Sequence, residues 1–203
     1  MTRGKFITLE GVDGAGKSTH IAAIAELLRK SGKDPVITRE PGGTPLGEKL
    51  RELLLAQTMH IETETLLMFA ARREHIAQVI APALAAGRWV VSDRFTDATY
   101  AYQGSGRGMP GEKIAALERW VQDTLRPDLT LILDVPVEVA RSRLDKSSSD
   151  RFEHEDREFF RRVRAGYLER AANDPVRVRV VDGTLPVDEV RKRVVKIVSA
   201  ICA

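Results

Sequence analysis

The stretch GVDGAGKS, Gly11 to Ser18, sets three glycines around one lysine and follows it with the hydroxyls of Ser18 and Thr19. Glycine carries no Cβ and accepts positive φ, so such a run can fold back with its N–H groups pointing inward. Inward amides, the positive end of a following helix and a lysine together form a cradle for phosphates. The spacing G-x-x-x-x-G-K-[ST] is that of a P-loop. The backbone of Gly11, Val12, Asp13, Gly14, Ala15 and Gly16 would wrap a nucleotide's phosphates, with Lys17 on the terminal ones. Ser18 would set its hydroxyl on a Mg²⁺ bridging them, with Thr19 beside it.

A loop of this kind works only between a strand and a helix, and the chain supplies both. Short apolar, β-branched runs at 5–10, 34–40, 88–93, 128–135 and 176–182 alternate with helical periodicity at 18–31, 46–56, 62–86, 110–125, 137–144, 155–172 and 186–201. Strands spaced by helices predict βαβ units: an α/β fold with a five-stranded parallel sheet and helices on both faces. Three of the runs (ITL, WVV and LTLILDV) are apolar without alternation, as buried parallel strands are. VRVRVVD alternates, which reads as an edge strand. The polar, serine-rich segment LDKSSSDRFEHED (144–156) reads as a surface loop or a short lid, with the lid proper at about 144–154. At 203 residues, without repeats or long linkers, the chain reads as a single domain, 1–203.

Composition narrows the class. The 32 basic and 29 acidic residues nearly balance and are interspersed, which is not the footprint of a nucleic-acid partner. One cysteine, Cys202, excludes an intramolecular disulfide. The N-terminus lacks an apolar signal segment, and no run approaches the length needed to span a bilayer. A cytoplasmic protein without membrane contact is expected. A guanine-reading switch would need Asn-Lys-x-Asp, yet the only asparagine is Asn173, in NDP. A kinase needs instead a second anionic pocket facing the γ-phosphate. Three stretches offer one at or near the strand ends: REPGGTPLGEKLRELLL from Arg39, LLMFAARREH (66–75) and DRFTDATYAYQGSGRG from Asp93.

Taken in order, GVDGAGKS, TREPGGT, FAAR, DRF…YAYQG, RPDLTLILD and DRFE resemble the thymidylate kinases of bacterial type, nearly end to end. The resemblance implies a P-loop fold with a lid, and transfer of the ATP γ-phosphoryl group to dTMP, giving dTDP and ADP. It also implies Mg²⁺ and a homodimer, for which the helices at 62–86 and 110–125 are candidate faces. Asp13 would accept from the sugar 3′-OH. Arg94 would clamp the acceptor phosphate, with Arg39 a further phosphate-facing candidate, and Asp93 would lie near the metal through water. Thymine reading would fall to the 66–75 helix in one of two i, i+4 registers, Met68 with Arg72 or Phe69 with Arg73. Thr99, Tyr102 and Gln103 would line sugar and base, and Tyr102 would disfavour a ribose hydroxyl. Arg143 would pack on adenine. Gly14 stands where part of the family carries a loop arginine, so the transition-state cation is expected from the lid. Arg151 is the first candidate there, with Arg143 or Lys146 assisting. The main rival within the same chemistry is a kinase of another small nucleotide.

Overall fold

The computed structural model describes residues 3–143 and 155–202. Its strands are β1 (Phe6–Glu10), β2 (Val36–Arg39), β3 (Val90–Asp93), β4 (Leu129–Asp134) and β5 (Val178–Asp182). They form one parallel sheet in the order β2-β3-β1-β4-β5. The central strand β1 is wholly buried, whereas β5 closes one edge with exposed Arg179 and Val180, as its alternating sequence predicts.

Strand parity divides the core. Phe6 and Val90 share a cluster with Phe69, Phe95, Ile114 and Val121, whereas the next residues, Ile7 and Val91, join Ile24, Leu28, Val194 and Val198. Helices α1 (Lys17–Lys30) and α9 (Val187–Cys202) therefore cover one face, and α3 (Ile61–His75) and α6 (Gly111–Gln122) the other. The remaining helices are α2 (Pro45–Ala56), α4 (Ala81–Ala85), α5 (Thr96–Thr99), α7 (Val137–Ser142) and α8 (Arg157–Asn173). Among the described residues, no helix is long and apolar enough to cross a membrane.

Two departures from the sequence expectation matter for the site. The single helix expected over 62–86 is α3, a π-type segment at Ile76–Ile80 and α4. Residues 96–106, to which the periodicity gave no element, form α5 and a second π-type segment at Tyr100–Gly106. Wide turns break the 3.6-residue rhythm on which helix recognition rests, and Gly104 and Gly106 weaken it further. This hidden helix packs along α8 and carries much of one cleft wall.

Candidate functional site

The carboxyl ends of β1, β2 and β3 open onto two joined clefts. The first is lined by Asp13 to His20, Arg39, Asp93, Arg143, Gly183, Leu185, Val187 and Val190. The second is lined by Pro41, Leu55, Met68, Arg72, Phe95, Ala98, Thr99, Tyr102 and Gln103. Asp13, Glu40, Arg51 and Arg94 belong to both and mark where they meet.

The first cleft is the P-loop. Gly16, at φ 93°, turns the chain into α1, and Lys17 opens that helix. Lys17 folds back over the loop, with Nζ 3.3 Å from the carbonyls of Gly11 and Val12 and 3.7 Å from Asp13 Oδ1. Burial lowers its pKa, against the opposing pull of the nearby carboxylates. Gly14 has φ 82°, and a Cβ on it would lie 2.1 Å from the Ala140 carbonyl oxygen of α7. That contact is far inside van der Waals range, so the loop cannot carry an arginine there in this arrangement. Arg143, at the end of α7, donates both terminal nitrogens to the Gly183 carbonyl at 3.1 Å. Ser18 and Thr19 are exposed in the cleft, and Asp93 Oδ1 is buried without a hydrogen-bond partner among the described residues. An unpartnered carboxylate oxygen and a free hydroxyl in one phosphate cradle suit a magnesium ion, which binds through few protein oxygens together with substrate phosphates.

At the junction stands Arg94. Its φ of 70° lies in the left-handed region, uncommon for a side chain of this size and costing about 1–3 kcal/mol. The conformation is held from both sides: Arg94 N–H donates to Leu9 O at 2.9 Å, and Ser92 Oγ donates to the Arg94 carbonyl at 2.8 Å. The guanidinium then donates to Asp13 Oδ1 (2.7 Å), the Tyr102 hydroxyl (2.9 Å) and the Tyr167 hydroxyl (2.8 Å). Tyr102 in turn donates to Asp13 Oδ2 at 3.1 Å, and its ring lies beneath the Arg94 guanidinium. Burial opposes the Asp13 charge, but Arg94 and Lys17 hold its carboxyl well below the usual range. Arg94 pairs with Asp13, the loop residue, and not with its chain neighbour Asp93.

Behind Arg94 lies a residue that the sequence did not single out. Glu10, fully buried at the end of β1, accepts from Phe95 N–H at 2.7 Å and from the Tyr167 hydroxyl at 2.9 Å. Burial, reinforced by the Asp97 charge, pushes its pKa up to about 8, with Arg94 pulling the other way. Glu10, Tyr167, Arg94 and Asp13 thus form one continuous chain of hydrogen bonds.

The second cleft is lined by one of the two helix registers. Met68 and Arg72 share the α3 face that lines it. Arg72 donates Nε to Glu40 Oε2 at 2.7 Å and Nη2 to Thr99 Oγ1 at 3.0 Å, leaving Nη1 without a hydrogen-bond partner among the described residues. Glu40 is braced by His75 Nδ1 at 2.9 Å, whose Nε2 meets Thr38 Oγ1 at 2.7 Å. Phe69 and Arg73, the alternative register, do not line this cleft. One residue further round the helix, Phe69 turns into the core, with the Arg72 guanidinium 4.7 Å from its ring centroid. Arg73 points away and donates to the Val121 carbonyl. Arg39 pairs with Glu48 at the rim of the P-loop cleft and does not line the second one. Arg51, absent from the sequence candidates, reaches both clefts from α2 and donates to the Pro41 carbonyl. Its signal was its place on the helix following EPGGT. Arg151 and Lys146 lie outside the described residues.

Comparison with known proteins places the chain among thymidylate kinases. The thymidylate kinase family profile matches residues 9–194. A thymidylate kinase of Methylobacillus flagellatus is 65% identical over 196 residues, covering 96% of this chain and 97% of that one. One of Cupriavidus pinatubonensis is 60% identical, covering 98% of this chain and all of the relative. A crystal structure of thymidylate kinase from Ehrlichia chaffeensis superposes with a TM-score of 0.80 at 36% identity, over 97% of this chain and 99% of that one.

Proposed function

The chain belongs to the thymidylate kinase family, a phosphotransferase that converts dTMP to dTDP with ATP, and from that premise we propose how its two clefts divide the reaction. The P-loop cleft takes ATP, with phosphates in the Gly11–Thr19 cradle and adenine toward Arg143. The second cleft takes dTMP, its base between Met68, Arg72, Thr99 and Gln103 and its phosphate directed at Arg94. The observation that carries this reading is the position of Arg94 and Asp13 at the one place where both clefts meet.

A dTMP phosphate oxygen attacks the γ-phosphorus in line as the bond to ADP breaks. The nucleophile is already anionic, so no general base is required, and the side chains act by positioning and charge neutralisation. Lys17 draws charge from the transferring group, and Arg94 holds the acceptor phosphate against it. Asp13 fixes Arg94 and keeps lone pairs free for the sugar 3′-OH. Magnesium, held through Ser18 and, by way of water, Asp93, would add neutralisation at the β- and γ-phosphates. Tyr102 closes the sugar side and disfavours a 2′-hydroxyl. Gly14 leaves the transition-state cation to Arg151, with Arg143 or Lys146 assisting.

The working enzyme is read as a cytoplasmic homodimer of single-domain chains. Exposed Leu66 on α3 and Trp120 on α6 support the pairing face. The acceptor reading is tested by ADP release across dTMP, dUMP, dCMP, AMP and GMP. Turnover of dTMP well above the others is expected, whereas strong turnover of another nucleotide with none of dTMP would replace it.

A further inference from the structure

Gln103 lines the second cleft, and its amide is gripped from behind. Its Nε2 donates to Glu64 Oε1 at 2.8 Å, and Glu64, on α3, is 0% exposed. Arg107, just past the π-type segment, sets Nε 3.3 Å from the same oxygen and Nη2 2.7 Å from Glu155 Oε1. A carboxylate flanked by donors can only accept, whereas a glutamine amide can sit either way round. Glu64 therefore selects the orientation. The NH₂ end of Gln103 faces the carboxylate, and the carbonyl Oε1 has no protein partner among the described residues. Turning the amide over would set its carbonyl against the Glu64 charge.

Across the same cleft Glu40 acts likewise on Arg72, fixing Nε and leaving Nη1 as an unused donor. Two buried carboxylates thus present the ligand with one donor and one acceptor. A keto pyrimidine offers an acceptor at O4 and a donor at N3–H, and an amino pyrimidine reverses both. We propose that Glu64 is a positioning residue for base selection: by holding the Gln103 carbonyl outward, it makes the cleft prefer keto over amino pyrimidine nucleotides. The inference rests on reading the second cleft as the dTMP site.

The probe is 5-methyl-dCMP, which matches dTMP in shape and differs in having the amino-pyrimidine edge. Its kcat/KM is compared with that of dTMP in the wild type, Glu64→Met, Glu64→Gln and Gln103→Met. The wild type should favour dTMP by at least about a hundredfold, because each edge mismatch leaves a buried polar group unpaired. Glu64→Met should lower that ratio by about tenfold or more. Glu64→Gln, whose carbonyl can still accept from Gln103, should keep it within about threefold. An equal loss on both nucleotides in Glu64→Met would reduce Glu64 to a structural role and overturn the proposal. Should Glu64→Met fail to fold, Gln103→Met decides, since full discrimination without the amide would also overturn it. A wild type with no turnover of dTMP would remove the reading of the cleft itself, and this inference with it.

Discussion

The two clefts are built from different materials. The phosphate cradle of the P-loop cleft is mostly backbone: glycines at positive φ, the mouth of α1 and exposed hydroxyls, with Lys17 folded onto its own loop. The second cleft is almost entirely side chain, and most of its polar members are bound to one another or to buried carboxylates before any ligand arrives. Phosphates are the same in every nucleotide, so a generic cradle of amides suffices for them. A base and a sugar must be told apart from near relatives, which calls for groups fixed in direction by a second layer. Generic binding can be local in sequence, and specific binding here has to be assembled from α2, α3 and the 96–106 helix.

That contrast can be broken most severely through Lys17→Ala, which should reduce kcat by about a thousandfold or more while the fold stays intact by circular dichroism. Near-normal turnover would mean that phosphoryl transfer happens elsewhere. Next comes the junction. Arg94→Lys keeps the charge but loses the planar fork that meets Asp13, Tyr102 and Tyr167 together, so kcat/KM for dTMP should fall by about a hundredfold. A lysine enzyme within a few-fold of wild type would reduce Arg94 to a simple counter-ion. Met68→Ala sharpens the division further, since it should raise KM for dTMP about tenfold and leave KM for ATP unchanged. Equal effects on both constants would show the clefts to be less separate than their linings suggest.

The smallest effect is a pH slope. The Glu10 pKa rises from 4.5 to about 8 on folding, so the folded protein holds that proton more tightly than the unfolded chain does. The stability gained is complete below about pH 4.5 and lost as pH climbs through about 8. The Tm of Glu10→Gln should therefore gain on the wild type between about pH 5 and about pH 9, whatever their offset at the start. Parallel Tm–pH curves would show that Glu10 titrates alike in both states.

The same division explains what was legible in the sequence. The P-loop could be read because its chemistry lies in consecutive residues and in backbone that only glycine permits. The inner strands were readable because buried parallel strands are largely apolar and β5 because it alternates, with all boundaries within about two residues. The base-facing register of α3 was left open between neighbouring residues, since a helix turns 100° per residue and both Met68 and Phe69 are apolar. Only packing sends Phe69 inward beside Phe6 and Phe95. Glu10, Glu40 and Glu64 were passed over for a plainer reason: in a chain with 29 acidic residues, a carboxylate buried to orient a neighbour looks like any surface acid. Glu10 alone carried a hint, as the acid ending an otherwise apolar central strand.

The short gap between Gly14 and Ala140 bears on the history of such a loop. A sequence change that introduces a side chain at position 14 meets the α7 backbone, not a side chain that could be trimmed. A side chain at position 14 therefore requires α7 to withdraw first. A graft of the loop arginine should be attempted only together with the α7 segment that makes room for it.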